Sequence, residues 1–308
     1  MGAIMEGSSS HSSATGAASG AHEIACMEVW GGSKAFIGHV SVPGNDVAVS
    51  CVPYEGGRTG GDVYYVSSCA AGLITRFILA DISGHGEQMA TLAAQLRRLM
   101  RRYINSANQT ALACGLNRAF AEVSTSGRFA TAALLTYFAP TDHLIFCNAG
   151  HPRPLLWRSG AGRWMLLDAS VPGTSGRGTA ESAGIRNLPL GVLDPTDYEQ
   201  IALKLDPGDV VVLYSDALIE AAAADGPQLG ESGLLGFAEE LAEEERADIG
   251  GALRRRVAGY TKGRELNDDS TLVVLHHNAH DPPPLTWADR IGRLSHMLGI
   301  GGGDVEAE

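Results

Sequence analysis

The chain has 308 residues, of which 44% are hydrophobic and 19% are charged, and its formal net charge is −12. This length and composition are typical of one globular domain of roughly 220–250 residues with additional tails. The net negative charge argues against nucleic acid or an anionic membrane as the main partner.

Cysteine usage and hydropathy indicate a cytoplasmic protein. The five cysteines are scattered along the chain without a C-x-x-C pair, which argues against a disulfide or zinc framework. No apolar stretch is long enough to span a bilayer, and the N-terminus lacks the charged-then-apolar order of a signal peptide. We therefore expect a cytoplasmic protein that does not enter a membrane.

Composition divides the chain into three parts. Residues 1–24 are rich in Ser, Gly and Ala and are predicted to be a disordered tail. Residues 25–280 are predicted to form a single folded domain. Residues 281–308 begin with a proline run and end in an acidic tail, and a short amphipathic helix is predicted over 287–298.

The first folded segment leads into a predicted hairpin. Short apolar runs between Cys26 and Val49 indicate one or two edge strands. Apolar runs at 63–66 and 76–80, bounded by glycines, predict two neighbouring antiparallel strands. Asp62 would then start one strand and Asp81 would end its partner, so both carboxylates would lie at the same sheet edge. Because two such carboxylates repel each other unless a proton or cation intervenes, a hard cation such as Mg²⁺ or Mn²⁺ is expected there.

Two helices are predicted after this hairpin. The spacing of apolar residues predicts one over Glu87–Ile104 and another over Gln109–Val123. The first also carries an arginine cluster on another face, formed by Arg97, Arg98, Arg101 and Arg102. Two interpretations stay open for this cluster: a solvated basic surface, or a docking site for an acidic partner or regulatory protein.

The rest of the chain alternates strands and turns before two further helices. Strands are predicted at 129–138, 144–147, 198–205, 210–214 and 270–275, a hairpin around Trp157 and Trp164, a mobile loop at 170–187, and helices at 234–244 and 249–260. Two sets of antiparallel strands with helices between them predict an α+β protein. The expected architecture is an α/β/β/α sandwich, in which two mainly antiparallel sheets are flanked by helices.

Acidic residues recur where the predicted strands begin or end, at Asp62, Asp81, Asp216 and the pair Asp268–Asp269. An aspartate at one such position is more often a turn former or a helix cap than a ligand. Four carboxylates from distant parts of a chain can, however, assemble a two-metal site that promotes in-line displacement at phosphorus.

Six short motifs occur in a fixed order: Gly60-Gly61-Asp62, Asp81-Ile82-Ser83-Gly84-His85-Gly86, Phe129-Ala130-Thr131, Asn148-Ala149-Gly150-His151-Pro152, Tyr214-Ser215-Asp216-Ala217-Leu218-Ile219-Glu220-Ala221 and Asn267-Asp268-Asp269-Ser270-Thr271. In this combination the chain resembles the SpoIIE-type branch of the metal-dependent serine/threonine phosphatases, the PPM or protein phosphatase 2C-like group. The resemblance covers residues from about 45 to 277. It departs from the family's usual pattern at Ala217, where glycine is common.

The resemblance implies a set of metal ligands. Asp81 would bridge two metal ions, and Asp62 would bind one of them together with the backbone carbonyl of Ile82. Asp216 and Asp268 would complete the shell of the other ion.

Roles for the neighbouring residues follow from the same resemblance. Asp269 would orient its neighbour rather than bind an ion. His85, with Asp81 and Asp62, would form the catalytic set and act as general acid for the leaving seryl oxygen. Arg58 is the nearest candidate for gripping the phosphate. For His151 the alternatives are an unassigned chemical step and a structural histidine that pins a turn.

The function implied is hydrolysis of phosphoserine or phosphothreonine on a regulatory protein, with an anti-anti-sigma-type regulator as the leading substrate. Two Mn²⁺ or Mg²⁺ ions would activate the attacking water. Two alternatives are a catalytically silent binding module of the same fold and a metal-dependent hydrolase of a small phosphate ester. No sensor domain is recognisable, so control is expected from a partner protein on the Arg97–Arg102 helix, from the tails, or from homodimerisation.

Overall fold

A computed structural model describes residues 26–54, 60–69, 72–84, 87–106, 108–124, 127–177, 186–223 and 226–280. Both predicted tails lie outside these ranges, and so do the helix expected over 287–298, Arg58 and His85. Within the described residues, every helix is too short or too polar to cross a bilayer.

The described strands, numbered along the chain, are β1 (Cys26–Gly32), β2 (Phe36–Val42), β3 (Asn45–Val52), β4 (Asp62–Cys69), β5 (Ile74–Ile82), β6 (Ala130–Phe138), β7 (His143–Ala149), β8 (Leu155–Arg158), β9 (Arg163–Leu166), β10 (Ser175–Arg177), β11 (Gln200–Lys204), β12 (Val210–Tyr214) and β13 (Ser270–His277). They form a seven-stranded sheet in the order β1-β4-β5-β6-β7-β11-β10. The second sheet has six strands in the order β2-β3-β13-β12-β8-β9. All strand pairs within these two sheets are antiparallel.

Helices cover the outer face of each sheet. The helices α1 (Glu87–Tyr103) and α2 (Gln109–Val123) pack against the first sheet. The helices α3 (Ala217–Glu220), α4 (Gly230–Glu239) and α5 (Ile249–Tyr260) pack against the second. A third apolar cluster joins the inner faces of the two sheets. The predicted α/β/β/α sandwich is therefore confirmed.

The central hairpin has apolar residues on both faces because both faces are buried. In β5, Phe77 and Leu79 point into the core between the sheets, whereas Ile78 and Ala80 contact the layer of α1 and α2. Side chains of a strand alternate between faces, so a strand between two apolar layers has no polar side. This explains the continuous apolar runs that predicted the hairpin.

The N-terminal strands differ from the expectation of one or two edge strands. Three strands form, and they divide between the sheets: β1 pairs with β4 in the first, whereas β2 and β3 form a hairpin in the second. Gly44, with φ of +81°, permits the tight turn of that hairpin. The strand β3 is internal, since it also pairs with β13 along its length.

Three further boundaries differ from the prediction. The expected loop at 170–187 contains β10, an edge strand that pairs only with β11 and needs no apolar pattern. The helix α3 has four residues, which is too short for helical periodicity to show. The helix α4 ends at Glu239 instead of 244, where an acidic run begins, consistent with the unfavourable effect of negative charge at a helix C-terminus.

Candidate metal centre

The hairpin of β4 and β5 places two carboxylates directly opposite each other. Asp62 and Asp81 are register partners in the antiparallel ladder, which confirms the predicted pairing. Asp62 is 1% exposed, and Asp81 is partly buried. The sheet thus fixes both backbones at one edge and removes at least one carboxylate from water.

The second sheet brings two more aspartates to the same edge. Asp216 follows β12 and begins α3, and Asp268 lies two residues before β13. Because β12 and β13 are antiparallel partners, the end of one strand lies beside the start of the other. Four of the predicted ligands therefore come from two sheets and lie at the same end of the sandwich.

All four carboxylates have raised pKa values. Burial and the nearby charges of Asp216 and Asp268 raise the pKa of Asp81 to about 8. Burial, followed by the charge of Glu220, raises the pKa of Asp216 to about 6. Burial and the charge of Asp81 hold the pKa of Asp62 well above its usual range, and burial also raises the pKa of Asp268. Such a cluster is stabilised by binding protons or cations.

The donor atoms fit a hard divalent cation. Asp62 Oδ2 is buried and has no hydrogen-bond partner among the described residues. The Asp81 Oδ1 atom and the carbonyl oxygen of Ile82 both lie 3.3 Å from the position that a Cβ on Gly61 would occupy. Met89 Cε lies nearer to that position, at 2.9 Å, so the two oxygens border a narrow space lined partly by an apolar methyl group. The oxygen donors themselves suit a hard cation such as Mg²⁺ or Mn²⁺.

The side chains do not yet converge on a single point. Among the described residues, no three His, Cys, Asp or Glu side chains form a group that could hold an ion as they stand. The carboxylates are nevertheless close enough to raise one another's pKa values. The chemistry of the donors fits a cation, and binding would require side-chain adjustment.

Asp269 contacts the backbone at the start of β4. Its carboxylate accepts hydrogen bonds from the backbone N–H groups of Tyr54, at 2.8 Å, of Gly61, and of Asp62, at 3.4 Å. The side chain is 5% exposed. Asp269 therefore ties the start of β13 to the start of β4, a role broader than orienting its sequence neighbour.

His151 is held in a buried polar turn. Its Nδ1 lies 2.9 Å from Thr131 Oγ1, and Thr131 is the register partner of Asp81. Asn148 accepts from the backbone N–H of His151 and donates to its carbonyl. Burial lowers the pKa of His151 to about 3, so the imidazole is neutral at ordinary pH. These contacts favour the structural interpretation.

Glu220 belongs to the fifth sequence motif but was not predicted as a site residue. It lies four residues after Asp216, one turn along α3, and its charge contributes to the raised pKa values of Asp216 and Asp81. Residues four apart are neighbours on a helix surface, so the spacing between Asp216 and Glu220 could have identified Glu220 from the sequence.

Alanine at position 217 fits the local backbone. Ala217 is the first residue of α3, and it is absent from the described non-glycine residues with positive φ. The departure from glycine therefore brings no backbone strain.

Comparison with known proteins identifies similar sequences and folds. Residues 74–278 match the sequence model of the family described as stage II sporulation protein E (SpoIIE). The chain is similar to the RsbU and RsbW domains of Rv1364c from Mycobacterium tuberculosis, with a TM-score of 0.60 and 22% identity over 80% of this chain and 63% of that chain.

Two further solved structures share the fold. One contains the PP2C phosphatase domain and a fragment of the regulatory domain of SpoIIE from Bacillus subtilis, with a TM-score of 0.60 and 17% identity over 79% of this chain and 64% of that chain. The other is RsbX in complex with magnesium, with a TM-score of 0.52 and 17% identity over 78% of this chain and 98% of that chain. The chain therefore spans less than two thirds of the Rv1364c structure and of the SpoIIE structure. It has the fold of PP2C-type phosphatase domains.

Gly60→Ala is expected to disturb the contact made by Asp269. A Cβ at position 60 would lie 2.0 Å from Asp269 Oδ2, and that carboxylate is held by backbone N–H groups. Overpacking of this kind costs about 1–3 kcal/mol. Thermal unfolding and Mn²⁺ titration calorimetry should show lower stability and weaker binding.

The matched control is Gly236→Ala in α4, where a Cβ would meet nothing within 4 Å. It should preserve both properties. Unchanged stability and Mn²⁺ affinity in Gly60→Ala would show that Asp269 does not restrain the start of β4.

Proposed function

Because the chain belongs to the stage II sporulation protein E (SpoIIE) family, we propose that it is a metal-dependent protein serine/threonine phosphatase. Its substrate would be a phosphorylated regulatory protein, with an anti-anti-sigma-type regulator as the leading candidate. The observation that carries the proposal is the group of four carboxylates with raised pKa values, contributed by both sheets at one edge.

The proposed ligands divide between the two sheets. Asp81 would contact both cations, with Asp62 and the carbonyl of Ile82 on one side and Asp216 and Asp268 on the other. When bound, two Mn²⁺ or Mg²⁺ ions supply an activated water and neutralise negative charge on the phosphoryl group.

The chain's own residues would hold and orient this site. The ladder between β4 and β5 fixes the spacing of Asp62 and Asp81, and Asp269 fixes where β4 starts. His85 is proposed as general acid for the leaving seryl oxygen. In the sequence it lies three residues after Ile82, the last residue of β5. Its role rests on the family resemblance, since it lies outside the described residues.

Two other functions remain as alternatives. A binding module that had lost catalysis would not need four mutually repelling carboxylates at one edge, and their presence favours an enzyme. A hydrolase of small phosphate esters would use the same metal chemistry, so only substrate preference separates it from a protein phosphatase.

The first prediction from this proposed function concerns substrate preference. We expect a much higher kcat/KM on a phosphorylated regulatory protein than on p-nitrophenyl phosphate, because a protein substrate can contact the surface around the metal edge. The measurement is steady-state phosphate release from both substrates at saturating Mn²⁺. Comparable values would support the small-ester alternative, and no release from either would support the binding module.

The second prediction concerns Asp81. Asp81→Asn should cause the largest loss of Mn²⁺ affinity and turnover, because it removes the charge that both ions would share. Asp62→Asn and Asp216→Asn should each leave one ion partly held. A loss of about 3–5 kcal/mol in binding free energy is expected for Asp81→Asn, measured by calorimetry alongside turnover at saturating metal.

Asp209→Asn is the matched control for the second prediction. Asp209 is also buried, but it lies at the opposite end of β12 and pairs with Arg158 at 2.7 Å. Its replacement should lower stability without changing metal affinity. If Asp81→Asn bound two ions and turned over at the wild-type rate, the site would be wrongly assigned.

The helix α1 is proposed as a surface for a regulatory protein. It begins five residues after Ile82, at the end of β5, so its movement would be transmitted to the backbone beside Asp81. Arg98, Arg101 and Arg102 are exposed. Arg97 instead forms an ion pair with Glu28 of β1, so it belongs to the fold rather than to the free basic surface.

The third prediction tests whether the exposed arginines of α1 form a docking surface and whether Arg97 instead stabilises the fold. Replacing Arg98, Arg101 and Arg102 together by Glu should reduce turnover of the protein substrate or its activation by a partner, while Mn²⁺ affinity stays unchanged. Arg97→Glu should instead lower the melting temperature because it places two acids side by side. Wild-type turnover and partner response in the triple variant would identify the surface as merely solvated.

A further inference from the structure

A groove of about 710 Å³ lies on the outer face of the second sheet, and none of the predicted metal ligands lines it. It runs between β2 and β3 on one side and the start of α5 on the other. Ala48, Leu272 and Val274 contribute apolar surface, and Ile249 lies on the helix side. Ile37 also lines the groove and is 75% exposed. Exposure of a large aliphatic side chain beside an apolar groove is typical of a surface that another element covers.

The described chain ends at the rim of this groove. Asn278 follows β13 and donates a hydrogen bond from Nδ2 to Asp46 Oδ1 at 3.1 Å. Asp46 lines the groove, as does His276. His280, the last described residue, lies close enough to Asp46 to lower the pKa of that carboxyl, after larger effects from Ser41 and Asn278. The described chain therefore reaches the rim of the groove at His280.

The sequence that follows has the pattern of an amphipathic helix. Trp287, Ile291, Leu294 and Leu298 recur at four-, three- and four-residue spacing, which puts them on one helical face. Thr286 and Asp289 have the spacing of a capping box at the start, and Gly299 suits the end. This apolar stripe does not belong to the catalytic motifs.

Length and charge are compatible with docking in the groove. A helix of twelve residues is about 18 Å long, and five β3 residues, 46–50, that line the groove span about 14 Å. Six residues, 281–286, reach about 20 Å when extended, which is enough for the chain to turn back. Asp46, Asp248 and Arg254 line the groove, so its charge is mixed and does not oppose Arg290, which would flank the apolar stripe on the helix.

We propose that residues 285–300 of the same chain dock as a helix in the groove between β2, β3 and α5, with the Trp287 stripe against Ile37 and the apolar floor. The segment would complete the helical layer over this part of the second sheet. The proposal is independent of the phosphatase assignment, because none of the predicted metal ligands lines the groove.

The test is hydrogen–deuterium exchange on the full chain, with substitutions on both sides of the contact. In the wild type, amides in 288–298 should exchange at least about tenfold more slowly than in Leu294→Asp. Ile37→Asp should remove the same protection. Val192→Asp is the matched control, because Val192 is 49% exposed and does not line the groove. It should leave the protection intact.

Thermal unfolding supplies a second measurement. Leu294→Asp and Ile37→Asp should each lower the melting temperature by about 2–6 °C, and the double variant should fall no further than the larger single effect. Leu294→Asp changes a residue outside the two sheets, so the folded domain remains available for comparison. Additive effects would overturn the proposal.

Two exchange results would also overturn the proposal. Absence of protection in wild-type 288–298 would mean that the segment does not dock. Protection that disappears on dilution, together with a dimer in size-exclusion chromatography, would mean that the groove takes the segment of a second copy. Protection that is independent of concentration and lost in both Asp variants supports docking within one chain.

Discussion

Mutual repulsion of carboxylates at one edge of the sandwich is the constraint on which the rest of the structure depends. Asp62 and Asp81 face each other across one ladder. Burial, followed by the charges of Asp216 and Asp268 from the other sheet, raises the pKa of Asp81. A flexible chain would relieve this repulsion by moving the charges apart. The apolar core between the sheets resists that movement because separating the sheet edges would expose apolar side chains to water. The fold therefore keeps an unfavourable charge arrangement available for cations.

Two polar side chains, Asp269 and His151, add local restraint at the site, although the charge of Asp269 also contributes to the raised pKa values of Asp62 and Asp81. Asp269 directs both carboxylate oxygens at backbone N–H groups, so its charge is already stabilised by hydrogen bonds. His151 contacts Thr131, opposite Asp81, and stays neutral because burial lowers its pKa to about 3. One restraint acts at the start of β4 and the other beside the end of β5. Together they hold the backbone on both sides of the Asp62–Asp81 pair.

The sequence predicted those parts of the fold whose signals are local. The hairpin of β4 and β5 was recognisable because glycines bound two continuous apolar runs, and α2 because its apolar residues follow helical spacing. The edge strand β10 gave no such signal, since its three residues include no large apolar side chain. The contact of Asp269 with Gly61 joins residues 208 positions apart, and no local pattern encodes it. Motif order predicted which aspartates meet, whereas their restraints emerged only from packing.

The two halves of the site differ in how firmly the fold holds them. Asp62 is buried within a strand, and its neighbour Gly61 is bound through its N–H group. Asp268 lies in a loop with much of its surface exposed, although partial burial raises the pKa of its carboxyl. Asp216 is the N-cap residue of α3, a helix of only four residues that ends at Glu220. Because short elements with few buried contacts move at low free-energy cost, adjustment to an ion is expected mainly from the second sheet. The first sheet would fix the position of the site, and the aspartates of the second sheet would move to bind the ion. Such movement is consistent with carboxylates that raise the pKa of Asp81 without being grouped around one point.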